Sequence, residues 1–233
     1  MTDTIDTPAQ VPQGKIIIVY GAAGLGKTTL AANAADAVLD LEGGAWHIPN
    51  CNSVSSSNVK EVIASLEMLA GTIAIDTLDA IDDLLRDEVF AKNKITTMQD
   101  LPFGKASLLQ LHLWKPVIEA ILAAKKAGKT IVLTCHEKIQ TVQNPIGDNY
   151  DKFGLAINKK AAEELINKSD AVFYIRNPVI LKKDSDGSAV ALSSTKVQIE
   201  TQGSALWDAK NRFGLTGSLD IKPTFLRELL CKK

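Results

Sequence analysis

Short apolar stretches recur along the chain, and most of them are rich in β-branched residues. The first is KIIIVY at residues 15–20, where five consecutive apolar side chains follow a lysine. Four more stretches of this kind lie at 37–42, 72–76, 130–136 and 171–176. Strands that are buried on both faces of a parallel sheet have this composition, because neither face contacts water. The pattern therefore predicts five parallel strands.

Helix-like segments separate these stretches, and they lie at 28–36, 58–70, 107–127 and 158–168. Strands that alternate with helices build βαβ crossover units, which place helices on both faces of a sheet. We therefore predict an α/β fold with a doubly wound, mainly parallel sheet.

The pattern changes after residue 176. VILKK at 179–183 and AVALSSTKVQIET at 189–201 alternate apolar and polar residues, and DSDG at 184–187 has the chemistry of a turn. This predicts an antiparallel hairpin, so we expect the sheet to end in a C-terminal antiparallel extension. Two long connections remain, at 92–106 and 137–158, and long connections on a compact core are often functional.

Composition favours one substantial core and narrows the range of partners. The 233 residues are 45% hydrophobic and 23% charged, with a formal net charge of −1. This excludes a wholly basic nucleic-acid clamp and leaves local basic segments open. Residues 1–13 are predicted to be a disordered tail before one domain at 14–233. No apolar run has the length of a membrane span, and the three cysteines are expected to be free thiols of a cytosolic protein.

The segment after the first predicted strand has the spacing G-x-x-x-x-G-K-[ST], with a strand before it and a helix after it. In phosphate-binding loops of this kind, glycines turn backbone N–H groups toward the phosphates and the helix N-terminus adds partial positive charge. Lys27 would reach the β- and γ-phosphates, and Thr28 would ligate Mg²⁺. The alternative is a glycine-rich turn without a ligand. The expected nucleotide contacts are Gly21, Ala22, Ala23, Gly24, Leu25, Gly26, Lys27, Thr28 and Thr29.

Two carboxylates are candidates for the chemistry at the phosphates. Asp76 ends the predicted strand at 72–76, where it would hold the water shell of Mg²⁺. Thr77 follows it, so the glutamate that AAA+ ATPases carry at this point is missing. Glu42, at the tip of the strand at 37–42, is the candidate general base, because strand tips at this edge face the ligand crevice. The alternative for Glu42 is a solvated loop acid.

His136 ends the predicted strand at 130–136. A polar residue there would sense the γ-phosphate if this strand lies between the P-loop strand and the Asp76 strand, although a single histidine is weak evidence. Three acids that follow the Asp76 strand are interpreted as N-cap and first-turn residues of a helix, namely Asp79, Asp82 and Asp83.

An ordered set of motifs carries a resemblance to a known family. The motifs are GAAGLGKTT, LDLEGG, AIDTLDAIDDLL, VLTCHEK, SDAVFYIR and AKNRFGL. Together they resemble the phage-encoded ATP-binding proteins of the AAA ATPase group, and especially the Sak-type single-strand annealing proteins. The likeness runs from about residue 15 to residue 220 and implies a RecA-like P-loop NTPase fold.

The resemblance also implies a function. Such a protein binds ATP and Mg²⁺, hydrolyses ATP, binds single-stranded DNA and promotes annealing or strand pairing beside a single-stranded-DNA-binding protein. A homo-oligomer, either a ring or a filament, is implied in the cytoplasm of a phage-infected or prophage-bearing bacterium, without membrane contact. By similarity, Glu42 activates the attacking water and His136 stands at the γ-phosphate sensor. Lys210 and Arg212 would enter a neighbouring subunit's ATP site, or else are solvated cations of a surface hairpin.

The connection at 137–158 matches the mobile DNA-binding loop of this family. Cations and aromatic rings alternate in it and just after it, and single strands use this mixture for phosphate neutralisation and base stacking. A solvated loop anchored by its aromatic rings is the alternative. The candidate DNA-binding residues are Lys138, Tyr150, Lys152, Phe153, Lys159 and Lys160.

Other P-loop functions fit the residues to different degrees. A small-molecule kinase closes an arginine-bearing lid over its phosphates, but no pair of arginines lies in such an insertion here. A partition-type ATPase carries an additional lysine early in the P-loop, where this chain has Ala22 and Ala23. A non-hydrolysing, nucleotide-gated DNA loader or scaffold remains the alternative.

Overall fold

The protein is described by a computed structural model, which covers residues 14–183, 189–194 and 196–231. Strands and helices alternate along the chain. The helices are α1 (Lys27–Ala34), α2 (Val59–Met68), α3 (Leu78–Asn93), α4 (Lys105–Lys126), α5 (Lys159–Lys168) and α6 (Phe225–Cys231). The strands are β1 (Ile16–Gly21), β2 (Ala37–Asp40), β3 (Ser53–Ser55), β4 (Thr72–Asp76), β5 (Thr130–Val142), β6 (Tyr150–Leu155), β7 (Ala171–Arg176), β8 (Val179–Lys183), β9 (Ala189–Ser193), β10 (Gln198–Glu200), β11 (Lys210–Asn211) and β12 (Ser218–Asp220).

Most strands form one sheet in the spatial order β12-β10-β7-β1-β5-β4-β2-β3. Pairing is parallel from β7 to β3, and antiparallel where β10 joins β7 and β12 joins β10. The predicted α/β fold of a P-loop NTPase, with a mainly parallel sheet and an antiparallel extension, is confirmed. The loop after β1 leaves the carboxyl edge of the sheet, where doubly wound folds bind ligands. Because β1 lies between β5 and β7, this loop is in the central part of that edge.

Helices cover both faces of the sheet, which explains the continuous apolar stretches. Along β1, Ile17 and Val19 face a layer that includes side chains of α1 and α6, whereas Ile18 and Tyr20 face the layer built with α2, α3, α4 and α5. Alternate residues of a strand point to opposite faces, so a strand covered on both sides is apolar throughout.

The predicted boundaries need two corrections at the carboxyl edge. The strand predicted at 37–42 ends at Asp40, because the chain turns there and leaves Glu42 two residues beyond it. The connection predicted at 92–106 is shorter, since α3 continues to Asn93 and α4 begins at Lys105. Two single-turn 3-10 helices occupy much of the remaining segment.

The connection predicted at 137–158 is not a loop. The strand β5 continues past His136 to Val142, and β6 pairs with it antiparallel from Leu155 opposite Glu137 to Tyr150 opposite Val142. Exposed and half-buried residues alternate along this part of β5, as in a hairpin with one solvated face. The polar face explains why the apolar pattern missed the hairpin.

The predicted C-terminal hairpin is present as the strands β8 and β9, but the prediction did not separate β10 from the second strand. β8 and β9 pair antiparallel in a small sheet of their own, while β10, predicted as a continuation of the second strand, joins the main sheet. The turn at 184–187 and the tail at 1–13 lie outside the described residues.

Two expectations from composition concern the membrane and the thiols. Within the described ranges, every helix is too short or too polar to span a bilayer. The cysteines are free thiols, as expected, and they are Cys51, Cys135 and Cys231.

Asp82 links three helices and is more than a first-turn acid. Its Oδ1 accepts a hydrogen bond from the indole Nε1–H of Trp114 at 2.8 Å and another from the backbone N–H of Asn158 at 2.8 Å. Trp114 is fully buried in α4, and Asn158 caps the start of α5. The N-cap of α3 itself is Thr77, whose side chain accepts from the N–H of Ala80.

Asp82→Ala should lower the free energy of unfolding by about 3 kcal/mol, because two buried donors lose their acceptor. Urea unfolding measures this change. Asp83→Ala is the matched control: its side chain is 60% exposed and forms a surface ion pair with Arg86, so its effect should stay below about 1 kcal/mol. Equal effects of both substitutions would contradict the role of Asp82.

Candidate nucleotide-binding site

The loop after β1 is an open cradle. Gly24 and Gly26 adopt positive φ angles of 77° and 85°, and no described residue other than their chain neighbours comes within 4 Å of a Cβ placed on either of them. Helix α1 then begins at Lys27 without a side-chain cap and without an acidic residue in its first turn. Its first N–H groups therefore remain available to an anion, with the helix dipole behind them.

Lys27 is buried within this loop, with only 5% of its surface exposed. Its Nζ donates to the carbonyls of Gly21 at 3.0 Å and Ala22 at 2.8 Å. Burial lowers the pKa of Lys27, and the nearby carboxylates of Asp79 and Asp76 oppose that shift. The ammonium group of Lys27 now donates to two backbone carbonyls. A bound phosphate would give it a negatively charged partner.

Thr28 and Asp76 meet below the cradle. The hydroxyl of Thr28 donates to Oδ2 of Asp76 at 3.0 Å, and the hydroxyl of Thr134 donates to Oδ1. Asp76 is 1% exposed, and burial raises its pKa against the effect of these two hydrogen bonds. A hydroxyl and a carboxylate side by side are the oxygen donors that Mg²⁺ prefers, so these residues fit the predicted ion.

Glu42 is held near this pair by a folded turn. Asp40 is buried, and its carboxylate accepts the backbone N–H groups of Gly43, Gly44 and Ala45 at 2.8, 3.2 and 2.9 Å. The turn presents Glu42 at the carboxyl edge, where its Oε1 accepts from the hydroxyl of Thr77 at 3.0 Å. Partial burial raises the pKa of Glu42, although the Thr77 hydrogen bond opposes the shift.

His136 lies at the same edge, in β5 between β1 and β4, as the sensor hypothesis requires. In the parallel register it is opposite Gly21. Asp79 accepts the backbone N–H of His136 at 2.9 Å and contacts the ring Nδ1 at 2.7 Å. Burial alone would raise the pKa of Asp79, but these hydrogen bonds outweigh it and the pKa is lowered. Asp79 is thus a first-turn acid with a second partner that its position in the sequence did not reveal.

These side chains surround one cavity of about 380 Å³. Its lining combines the P-loop with residues of three strand ends and consists of Gly24, Gly26, Lys27, Thr28, Thr29, Glu42, Thr77 and His136. One polar atom each from Glu42, Asp79 and His136 lies within 4.8 Å of the others. Hydrogen bonds to Asp79 and Thr77 account for this cluster, so we assign no ion to it. The catalytic roles of these residues remain predictions.

The hairpin of β5 and β6 carries several of the candidate DNA-binding residues. Lys138 donates to the carbonyl of Ile157, and burial lowers its pKa. Lys152 pairs with Asp208 at 2.6 Å. Together with Lys159, these two lysines line a groove of about 880 Å³ between the hairpin and α5. Two of the three cations therefore already have partners within the chain.

The other candidates differ in exposure. The ring of Phe153 stacks on Tyr174 with centroids 5.6 Å apart, so it is packed against the protein, as in the alternative of a segment anchored by its aromatic rings. Tyr150 is exposed at the start of β6. Lys159 and Lys160 are exposed as well, at the first two positions of α5, which agrees with the helix predicted at 158–168.

An exposed aromatic residue was missed by the sequence argument. Phe103 is fully exposed with a positive φ of 56°, in the segment between α3 and α4. The side chain of Asn158 binds the carbonyl of Ser107 at 3.0 Å, which joins the start of α4 to the start of α5. The length of the predicted connection at 92–106 was the only signal for this surface.

Lys210 and Arg212 lie at the opposite, amino edge of the sheet. Lys210 is paired with Val172 near the start of β7, and its Nζ donates to the carbonyl of Asn167 at 3.3 Å. Arg212 pairs with Asp170 at 2.9 Å, and 67% of its side chain is exposed. Neither cation lies near the P-loop of its own chain, so their predicted role in a neighbouring subunit stays a prediction.

A family model described as an AAA domain matches residues 13–213, a span that includes the whole cavity. The chain belongs to the AAA domain family. Among curated proteins, none matches the chain significantly. An AAA domain of this P-loop class is a nucleotide-binding ATPase module and typically binds Mg²⁺ with the nucleotide, which agrees with the cradle, Lys27, Thr28 and Asp76.

Glu42→Gln in this AAA domain protein should lower ATP turnover by about 100-fold while ATP affinity is unchanged, because the amide keeps the shape of the side chain but cannot accept a proton. Steady-state hydrolysis and nucleotide binding by fluorescence anisotropy measure the two effects. Glu67→Gln, at an exposed position of α2, is the control. A normal rate in the Glu42 variant would assign the base to another residue.

Proposed function

We propose that this AAA domain protein is an Mg²⁺-dependent ATPase of phage recombination that binds single-stranded DNA and promotes annealing or strand pairing. One observation carries the proposal: β5 joins the nucleotide cavity to the lysine-lined hairpin within a single strand, from His136 to Val142. A contact at the γ-phosphate and a contact at the hairpin would thus both involve β5.

The proposed hydrolysis uses the cavity as follows. Backbone N–H groups and Lys27 hold the phosphates, Thr28 and Asp76 hold Mg²⁺, and Glu42 accepts the proton of the attacking water. Mg²⁺, when bound, neutralises charge that develops on the phosphates. The raised pKa of Glu42 supports this role, because a base works best when its pKa approaches the working pH.

The proposed DNA contact lies along the groove between the hairpin and α5, and it is most open at the start of α5. Lys159 and Lys160 are exposed there with no ion pair among the described residues. Phe103 and Lys105 are also exposed, near the point where Ser107 is tied to Asn158. Exposed cations beside an exposed ring suit single strands, whose phosphates need neutralisation and whose bases stack.

The proposed assembly is a homo-oligomer with shared ATP sites, and charge complementarity supports it. The cavity at the carboxyl edge contains Glu42 and would hold a triphosphate, whereas the amino edge carries Lys125, Lys210 and Arg212 around one carboxylate, Asp170. A head-to-tail contact would bring these edges together. The phage setting and the single-stranded-DNA-binding partner rest on the resemblance of the ordered motifs alone.

A nucleotide-gated DNA loader or scaffold that does not hydrolyse ATP is the second candidate. The residue after Asp76 is Thr77, which offers a hydroxyl and no carboxylate, so hydrolysis depends on Glu42. ATP turnover measured with and without single-stranded DNA distinguishes the two functions. Turnover that stays at background under both conditions would favour the scaffold.

Replacement of Lys159 and Lys160 by alanine should weaken single-stranded DNA binding at low salt. If both lysines contact phosphates, the slope of log K against log salt concentration should fall by about 1.4. A double variant of two exposed lysines on other helices, Lys60→Ala with Lys92→Ala, is the matched control. Wild-type affinity and slope in the Lys159 and Lys160 variant would remove α5 from the DNA contact.

Mixed subunits test the shared ATP site. Lys27→Ala subunits have a defective P-loop, Arg212→Ala subunits lack the trans cation, and each should be inactive alone, since such an arginine is worth about 10³-fold or more. The mixture should regain ATPase activity, because some interfaces pair an intact P-loop with an intact Arg212. Lys27→Ala subunits mixed with subunits that carry both Lys27→Ala and Arg212→Ala are the control, and this mixture should stay inactive because it contains no intact P-loop. Demonstrated co-assembly without recovery would contradict the trans role.

A further inference from the structure

Asp79 binds His136 at two points, and this limits the protonation of the ring. One carboxylate oxygen accepts the backbone N–H of His136 at 2.9 Å, and the other lies 2.7 Å from ring Nδ1. The lowered pKa of Asp79 agrees with an ionised carboxylate. Because an ionised carboxylate only accepts hydrogen bonds, Nδ1 must carry a proton.

The second ring nitrogen, Nε2, is then the one available to bind a ligand in the cavity. His136 lines the cavity together with Lys27 and Glu42, and Nε2 has no hydrogen-bond partner among the described residues. Phosphate oxygens that carry no proton only accept hydrogen bonds. His136 can therefore donate to the γ-phosphate only if Nε2 also carries a proton, which makes the ring an imidazolium.

We propose that Asp79 is a positioning residue that makes His136 a proton-linked detector of the γ-phosphate, so that binding of ATP, but not ADP, is coupled to a proton on Nε2. The inference rests on the proposed function, because it requires ATP in this cavity. The imidazolium would donate from Nδ1 to Asp79 and from Nε2 to the γ-phosphate. Binding energy for the third phosphate then depends on pH.

Charged groups approach the ring of His136 from several elements. Carboxylates lie near the ring from the turn after β2 and from α3, and Lys27 lines the same cavity from α1. The carboxylates are Glu42 and Asp79. Asp76, at the end of β4, and the thiol of Cys135, next to His136 in β5, act on Lys27. A ring that must gain a proton before it can donate to the γ-phosphate binds that phosphate less tightly as the pH rises. The preference for ATP over ADP should therefore fall as the pH rises.

The experiment measures dissociation constants of the full chain for ATP and ADP at saturating Mg²⁺ from pH 6 to pH 9. In the wild-type protein, the ratio of the ADP constant to the ATP constant should fall with rising pH, by up to about tenfold per pH unit. Calorimetry of ATP binding at fixed pH in two buffers of different ionisation enthalpy should show net proton uptake.

Two variants separate the detector from a structural role. His136→Gln offers an amide N–H at every pH, so it should keep a preference for ATP that does not change with pH. In Asp79→Asn, the amide oxygen still accepts the backbone N–H of His136, so the amide N–H₂ faces Nδ1 and donates to it. The ring proton then moves to Nε2 of a neutral imidazole, and the preference should again be independent of pH. Asp87→Asn, exposed on the same helix, is the control and should follow the wild type.

The outcomes separate this inference from the proposed function. ATP binding with a preference over ADP that is independent of pH in the wild type overturns the proton link and leaves the nucleotide site intact. A wild-type pH dependence in folded Asp79→Asn overturns the role of Asp79. Absence of ATP binding at every pH, in protein whose circular dichroism is native, overturns the nucleotide site itself.

Discussion

The burial of β1 on both faces and both edges is the constraint on which the other features depend. Its side chains alternate between two apolar layers, and its backbone is paired in parallel with β5 on one side and β7 on the other. The carboxyl end of β1 is therefore fixed in register with the ends of its neighbours. A glycine loop that leaves such a strand can be open and still be held in place, which a phosphate site requires.

The buried and half-buried carboxylates near this edge each have their own donors. Asp40 accepts three backbone N–H groups of the Glu42 turn, Asp76 accepts two threonine hydroxyls, Asp79 accepts from His136, and Asp82 accepts from Trp114 and Asn158. A buried charge without such partners would be costly, so the donors make the cluster of acids compatible with folding. Glu42 is more exposed than these acids, and within the described ranges its side-chain partner is the Thr77 hydroxyl.

The two edges of the sheet have different chemistry. The carboxyl edge combines the cradle with carboxylates and a histidine, and β5 extends from it into the hairpin. The amino edge holds cations around Asp170, far along the strands from the P-loop. All carboxyl ends of parallel strands lie at one edge of the sheet, and all amino ends lie at the other. The cations at the amino edge can therefore reach a nucleotide at a carboxyl edge only if that edge belongs to a second copy of the chain.

The sequence by itself determined the parallel core, the P-loop, and the positions of Asp76 and His136, because these depend on local apolar patterns and on spacing within one strand and its following turn. Tertiary structure alone decided that Asp79 binds a residue 57 positions away, that Asp40 folds the Glu42 turn, and that Phe153 packs on Tyr174. It also decided that 137–158 is a hairpin, since its polar face lacks the apolar run that marks a buried strand. Each of these contacts depends on which strands become neighbours in the sheet. The crossover connections set that order and bring together side chains that are far apart in the sequence, so no local sequence pattern predicts the contacts.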